Sequence, residues 1–360
     1  MQMNAKTMRR GGAALGALLM LSLAGCGTVN STTGSTGTPA SPGTNTATGN
    51  SSSGSGSSSQ PITVRYSEVI RSVFYAPAYV AMSEGFFKQH GLNVQMVTSE
   101  GSNTGAAALL SGSADIALVG PETSVYIYNQ HGSQTLKVFD QLTNTDGSFI
   151  LSKNKMNNFT WKDLQGQSII SWRPGSSPQM VLNYDLKKKG VQANVITNIG
   201  PSAMVGAFES GKANFIQVYE PVASQLIQSG KAYYDASVGQ AIGTYPETAF
   251  EATSSYIKSH PQVIQDWTDA IYQATQYIDT HSANQVATAI APYFTGTPTS
   301  LIASSIQRYQ KLHAWDGQIL TKSAFNTLQQ VLIQNGTEKA NQKVNYSDVI
   351  DPSFAQNVKK

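Results

Sequence analysis

An internal repeat constrains the fold of this chain more than any other feature. Residues 91–119 align without a gap on residues 190–218, with eight identical positions. Each copy has the pattern of a strand, a glycine-containing loop, a helix that ends at a Ser-Gly pair, and a second strand. Alternating strands and helices predict a largely parallel sheet covered by helices. Two such copies predict an α/β protein with two similar lobes.

The first 60 residues differ from the rest of the chain. Lys6, Arg9 and Arg10 precede an apolar run over residues 11–25, which is typical of a secretory signal peptide. The run ends in Leu-Ala-Gly-Cys, which resembles the bacterial lipobox, and Cys26 is the only cysteine. We therefore expect a lipoprotein signal peptide over residues 1–25 and a lipidated Cys26. A disordered Ser/Thr/Gly tether over residues 26–60 would then hold the protein at the outer face of the bacterial cytoplasmic membrane.

The charge of the remaining chain argues against a nucleic-acid partner. The whole chain has 24 basic and 21 acidic residues, and residues 1–60 contribute three basic residues and no acidic one. Residues 61–360 therefore carry 21 charges of each sign. Such a neutral chain lacks the basic footprint of nucleic-acid binding.

Two segments could carry the chain between the lobes, Thr145–Ser152 and Thr244–Ala252. They predict a first lobe formed by residues 61–147 and 248–360, including the mainly helical C-terminal part. Residues 148–247 would form the second lobe.

In parallel α/β sheets, ligands bind beyond the carboxyl ends of the strands, close to helix N-termini. Between two lobes, that position is a cleft. The loops that the pattern places there predict these ligand-binding residues: Ser72, Phe74, Tyr75, Ser102, Asn103, Gly120, Glu122, Thr123, Asp146, Trp172, Arg173, Ser176, Ser177, Tyr219 and Glu220.

These candidates differ in the chemistry that they offer. The loop after Gly101 and the loop after Arg173 could hold an anionic group, although helix capping also explains their Ser, Asn and Thr residues. Glu122 and Glu220 could hold an amine, or could simply favour a helix start. The four aromatic candidates could form flat walls for a ring, or could belong to the core.

Motifs for catalysis are absent from the sequence. The five histidines are scattered, and no zinc-protease, nucleophile-elbow or phosphate-loop motif occurs. We therefore predict no catalytic residue, no metal ion and no cofactor.

Several segments in this order resemble the nitrate, sulfonate, taurine and thiamine-precursor group of solute-binding proteins. They are Ser72–Ala81, Glu84–Lys88, Gly91–Val94, Leu110–Ala117, Trp161–Gln167 and Tyr219–Pro221. The resemblance implies a two-lobed periplasmic-binding-protein fold with two crossovers, in a monomer that delivers a small solute to an ABC permease. It also gives a binding role to Ser72–Tyr75, Gly120–Thr123, Trp172–Ser177 and Tyr219–Glu220.

The class of solute remains open at this point. Glu122 departs from the small-residue loop common in sulfonate binders, which favours an amine-bearing heterocycle such as a thiamine pyrimidine precursor. The alternative ligand is a sulfonate, taurine or nitrate oxyanion held by Arg173. Two other functions are a pyrimidine-precursor enzyme on the same fold, and a receptor that signals to a membrane sensor.

Overall fold

Two five-stranded mixed sheets organise the computed structural model, which describes residues 60–358. The predicted signal peptide, Cys26 and nearly all of the tether lie outside the described residues. The strands are β1 (Ile62–Glu68), β2 (Leu92–Thr98), β3 (Ile116–Val119), β4 (Leu136–Thr143), β5 (Phe149–Ser152), β6 (Ser168–Ile170), β7 (Asn194–Ile196), β8 (Phe215–Val218), β9 (Tyr233–Ser237) and β10 (Thr248–Thr253).

Helices cover both sheets. In chain order they are α1 (Ala76–Ser83), α2 (Phe86–Gln89), α3 (Ser102–Ser111), α4 (Glu122–Tyr128), α5 (Ser177–Lys188), α6 (Pro201–Glu209), α7 (Val222–Gln228), α8 (Val238–Ile242), α9 (Ser254–Ser259), α10 (Pro261–Thr280), α11 (Ala283–Ile290), α12 (Thr299–Lys311), α13 (Lys322–Gln334), α14 (Tyr346–Val349) and α15 (Ser353–Gln356). Short 3₁₀ turns span Val73–Tyr75, Trp161–Leu164, Ala291–Tyr293 and Ala340–Gln342.

The two sheets have corresponding strand orders. The first is β2-β1-β3-β10-β4 and the second is β7-β6-β8-β5-β9. We call the first sheet with α1–α4 the first lobe, and the second sheet with α5–α8 the second lobe. The repeated segments occupy matching places, because β2, α3 and β3 in one lobe correspond to β7, α6 and β8 in the other. The predicted α/β class and the repeat are confirmed.

The sheets are mixed, so the expectation of largely parallel sheets was only partly correct. In the first sheet, β1 runs parallel to β2 and β3, whereas β10 runs antiparallel to β3 and β4. In the second sheet, β5 likewise runs antiparallel to β8 and β9. The antiparallel strands β5 and β10 are those that follow the two connections between the sheets. These strands enter from the other lobe and not through a covering helix, so the parallel crossover geometry does not apply to them.

One predicted helix is two helices in the structure. The sequence predicts a helix over residues 77–90, but α1 ends at Ser83 and α2 begins at Phe86. Gly85 between them has φ of +76°, a conformation that glycine adopts readily and that interrupts a right-handed helix.

The chain passes between the sheets twice, after β4 and before β10. The C-terminal helices contact both lobes, whereas the sequence assigned them to the first. Helices α10 and α11 pack on α1, and α13 packs on α5. The Asn335 side chain, just after α13, donates a hydrogen bond to the Met180 carbonyl at 2.9 Å. The proposed lobe boundaries at residues 147 and 247 remain a prediction.

None of the helices within residues 60–358 combines the length and the apolar character needed to cross a membrane. The 20-residue α10 is amphipathic, and its apolar face is buried. Trp267 on that face is fully buried against the rings of Phe87 and Phe250, with ring centroids 4.4 and 5.3 Å away. This packing fixes the frame of the first lobe.

Candidate functional site

A cavity of about 290 Å³ lies between the two lobes, and we call it the central cavity. Segments from both lobes and from the second connection line it. The lining residues are Val69, Ile70, Tyr75, Glu100, Gly101, Ser102, Trp172, Arg173, Ser176, Ser177, Pro178, Thr197, Asn198, Ile199, Gly200, Pro201, Met204, Tyr219, Glu247 and Thr248.

Three helix starts meet at this cavity. Ser102, Ser177 and Pro201 are the first residues of α3, α5 and α6, and all three line it. The first N–H groups of a helix have no partner within the helix, and the helix dipole makes this end positive. Ser102 and Ser177 each bring a backbone N–H to this end of a helix, one from each lobe, whereas Pro201 has no N–H.

Aromatic rings form one wall of the cavity. Trp172 and Tyr219 meet edge to face, with ring centroids 5.2 Å apart, and Tyr75 is buried beside them. The indole Nε1 of Trp172 is buried and has no hydrogen-bond partner within residues 60–358. This wall can stack on a flat ring and can donate one hydrogen bond to it.

The buried carboxyl of Glu247 is the main polar group of the cavity. Glu247 is 2% exposed, and its oxygens accept hydrogen bonds from the Tyr219 hydroxyl at 2.6 Å and the Ser177 hydroxyl at 3.1 Å. Burial raises the pKa of Glu247 well above its usual value, and the neighbouring charge of Asp146 raises that pKa further. A ligand that brings an N–H donor or a positive charge would stabilise the ionised carboxylate.

Asp146 lies behind the cavity, on the first connection between the lobes. Its Oδ1 accepts hydrogen bonds from the Ser148 N–H at 2.7 Å and the Ser148 hydroxyl at 2.5 Å. Burial raises the pKa of Asp146 to about 6. The two connections thus bring the buried carboxyls of Asp146 and Glu247 close together, and of these two Glu247 lines the cavity.

Among the described residues that line the cavity, Arg173 is the one cation. Within residues 60–358, its guanidinium makes no hydrogen bond or ion pair in the structure. The Arg173 side chain reaches across the lobe boundary to the start of α3. A side-chain carbon added to Gly101 would lie 3.5 Å from Arg173 Nε. Arg173 is therefore available to an anionic substituent.

The structure brings seven of the fifteen predicted binding residues to the central cavity. These are Tyr75, Ser102, Trp172, Arg173, Ser176, Ser177 and Tyr219. The other eight lie elsewhere: Ser72, Phe74, Asn103, Gly120, Glu122, Thr123, Asp146 and Glu220.

Glu220 belongs to the contact between the second lobe and the C-terminal helices. Its carboxylate pairs with Arg308 of α12 and accepts hydrogen bonds from Ser224 and Ser305. The Ser72 hydroxyl donates to the Glu220 carbonyl at 2.8 Å. Both residues therefore connect parts of the fold.

Phe74 is a core residue, with its ring centroid 4.9 Å from that of Tyr309.

Glu122 faces a second depression, of about 530 Å³, which we call the side groove. Asn103 and Thr123 also line the groove, and Arg173 borders both it and the central cavity. Thr123 donates from its hydroxyl to Glu251 at 2.9 Å, and the Gly120 N–H donates to the Ser102 hydroxyl at 3.2 Å. Glu122 and Thr123, the first residues of α4, thus line the side groove and not the central cavity.

Sequence reasoning missed several lining residues, of which Glu247 matters most. It lies in the predicted second connection, and a connection between two lobes runs past the cleft that they enclose. The repeat contained another signal. At its offset, Glu100 corresponds to Ile199 and Gly101 to Gly200, and all four residues line the cavity.

Groups for metal or histidine chemistry do not converge at the cavity. Within residues 60–358, no three His, Cys, Asp or Glu residues are grouped so that they could hold a metal ion. The lining residues include no histidine.

Comparison with known proteins adds independent findings. A family model described as NMT1/THI5 like matches residues 73–284. YtlA of Bacillus subtilis (strain 168), named as a candidate binding protein, is 36% identical over 300 residues, which cover 82% of this chain and 89% of YtlA.

Solved structures share the fold. The alkanesulfonate-binding protein SsuA of Xanthomonas axonopodis pv. citri gives a TM-score of 0.66 at 18% identity, covering 81% of this chain and all of SsuA. The periplasmic nitrate-binding protein NrtA of Synechocystis PCC 6803 gives 0.64 at 17% identity, covering 82% and 87% of the two chains.

Proposed function

This chain belongs to the NMT1/THI5-like family, and on that premise we propose that it is a solute-binding receptor of an ABC importer. The observation that carries the proposal is the central cavity, which lies between two lobes and is lined by residues of both. Its aromatic wall, helix starts and buried carboxyl are suited to binding. Relatives named as binding proteins support this function. The receptor performs no chemistry.

The receptor acts outside the cytoplasm in this proposal. It is a monomer held at the outer face of the bacterial cytoplasmic membrane by lipid on Cys26, and it hands its solute to a permease. The signal-like N-terminal sequence supports this location. Solute binding closes the lobes, and the permease recognises the closed form.

The solute in this proposal is a small amine-bearing heterocycle, such as the aminopyrimidine half of thiamine. Glu247 supports this assignment, because no Lys or Arg within residues 60–358 forms an ion pair with its buried carboxyl. A hydrogen bond from a ligand N–H group would compensate the free-energy cost of burying that carboxylate. Trp172 and Tyr219 would flank the ring, and the 290 Å³ volume suits a small molecule.

An oxyanion is the competing solute, and Arg173 favours it. Its guanidinium and the three helix starts could together hold a sulfonate or nitrate. Two proteins of the same fold are named for binding alkanesulfonate and nitrate. The two solutes make opposite demands on Glu247, since an amine favours its ionised carboxylate and an oxyanion favours its neutral carboxyl.

Calorimetric titration of wild-type and Glu247→Gln protein separates these solutes. We expect the aminopyrimidine half of thiamine to bind wild type, and Glu247→Gln to weaken it by about 1.5–3 kcal/mol, the range for a hydrogen bond to a charged group. Glu251→Gln is the matched control, because Glu251 is also a buried carboxyl but does not line the cavity. An alkylsulfonate that binds wild type, and binds Glu247→Gln equally or more tightly, would establish the oxyanion instead.

A further inference from the structure

Glu122 is a buried carboxyl at the rim where the two lobes meet, in the side groove that Arg173, Pro174 and Gly175 of the second lobe also line. It is 1% exposed, and neither carboxylate oxygen has a hydrogen-bond partner within residues 60–358. It belongs to α4 of the first lobe. Arg173 and the backbone N–H of Ser177, both of the second lobe, are close enough to act on its charge. Gly120 has no side chain and so leaves room for the Glu122 carboxylate. A side-chain carbon at Gly120 would overlap that carboxylate.

The same helix makes a second contact across this rim. Tyr126, one turn after Glu122, donates from its hydroxyl to the Gly175 carbonyl at 3.4 Å. That hydroxyl also lies 3.4 Å from Met180 Sδ of α5. The start of α4 is therefore a place where the first lobe touches the loop and helix that border the central cavity. Separation of the lobes would break these contacts and admit water to Glu122.

The charged and titratable groups around Glu122 come from several elements. Arg173 is the cation, Glu247 and Glu251 are the neighbouring carboxyls, and Tyr75, Tyr126 and Tyr245 are the phenols. Burial raises the pKa of Glu122 to about 7 from an ordinary value of 4.5, and outweighs the opposing effects of its own backbone N–H, Arg173 and the Ser177 N–H. In this closed arrangement, burial therefore outweighs the contacts that favour the charge, and the neutral carboxyl is favoured.

We propose that Glu122 is a proton-dependent latch between the lobes. When its carboxyl is neutral the lobes close at this rim, and when it ionises the closed form is destabilised relative to the open form. Closure takes up a proton, because opening returns the carboxyl to water. The ratio of closed to open protein therefore falls as the pH rises, by up to tenfold per pH unit between about pH 5 and 7.

Glu251 provides an internal control for this latch. It is also buried, and burial raises the pKa of Glu251 to about 8. Its contacts, however, stay within the first lobe, because it lies on β10 opposite Ala117 and Val138 and bonds to Thr123. Opening leaves Glu251 buried, so its titration affects stability without affecting closure.

Small-angle scattering of the purified, solute-free protein between pH 5 and pH 8 tests the latch. We expect the radius of gyration of wild type to increase with pH, and that of Glu122→Gln to stay at the small value throughout. Glu251→Gln should open like wild type. A pH profile of Glu122→Gln that follows wild type would overturn the proposal, as would a wild-type radius that is constant or decreases with pH.

A second measurement on wild-type protein covers the case in which Glu122→Gln does not fold. Carboxyl NMR should give Glu122 a pKa near 7 in the compact form, and a pKa near its ordinary value in the expanded form. Equal values in both forms would refute the latch. The latch rests on the proposed closure but not on the nature of the solute. Solute titration at one fixed pH therefore tests the receptor separately.

Discussion

At the residue scale, the two buried carboxyls of Glu220 and Glu247 have different electrostatic partners. Glu220 is neutralised by Arg308 and bonded to two serines, so its charge is already compensated within the fold. Within residues 60–358, the hydrogen-bond donors to Glu247 are the neutral hydroxyls of Tyr219 and Ser177, and the acidic Asp146 lies nearby. A buried charge without a counter-charge is costly. The solute that best relieves this cost brings its own positive or N–H-bearing group.

A single residue, Cys26, carries the lipid anchor that we propose. We expect Cys26→Ala to release the protein into the soluble extracytoplasmic fraction, because two or more acyl chains are needed for stable anchoring and the variant has no site for them. Cell fractionation and immunoblotting measure the release. Ser22→Ala, a small change outside the Leu23–Cys26 motif, is the control and should remain with the membrane. Membrane association of Cys26→Ala equal to wild type would contradict the anchor.

Local sequence patterns predicted part of the site. The rest depends on contacts between residues that lie far apart in the sequence. The loops of Trp172, Arg173 and Ser177 follow a strand and begin a helix, so the sequence alone placed them at a strand's carboxyl end. Glu220 has the same local signature but lies away from the cavity. Its partner Arg308 is 88 residues further along the chain, on a helix whose packing the sequence does not specify. Glu247 was missed because its position on a connection carries no motif.

At the scale of elements, the first connection packs tightly against the turn that carries Phe74. A side-chain carbon on Gly147 would lie 2.5–2.6 Å from three atoms of the Phe74 ring. That ring is fully buried, with the rings of Tyr219 and Tyr309 beside it. Gly147 therefore lets the connection pass close to the aromatic core.

Gly147→Ala should destabilise the fold by about 1–3 kcal/mol, the usual cost of overpacking a core. Gly206→Ala is the control, because Gly206 is exposed within α6 and has open space around it. That change should stabilise the protein by up to about 1 kcal/mol, since alanine favours helix. Urea unfolding measures both. Equal stability of Gly147→Ala and wild type would show that the packing there is loose.

The repeat predicted the elements because each strand and helix has a local hydrophobic pattern and a glycine stop. The mixed character of the sheets was not predictable in the same way. It depends on how β5 and β10 enter their sheets from the opposite lobe, which is a property of the whole path of the chain. The contact of α13 with α5 likewise depends on the arrangement of both lobes.

At the scale of the whole molecule, the two lobes enclose the central cavity, and within the part of the chain that the structure describes two connections join their sheets. Such an arrangement permits hinge motion around a ligand. A ligand that binds only the native protein also stabilises it, by about 2.7 kcal/mol at 100 times its dissociation constant. Closure and stabilisation should therefore appear together when the solute is added.

The most direct test of the central claim is small-angle scattering with and without a saturating solute, at pH 8, where we expect the solute-free protein to be open. The probe is the aminopyrimidine half of thiamine, and Glu247→Gln is the matched variant. We expect the radius of gyration of wild type to fall and its melting temperature to rise, with both responses reduced in Glu247→Gln at the same concentration. Calorimetrically saturated wild-type protein that shows neither response would contradict a receptor that closes on its solute.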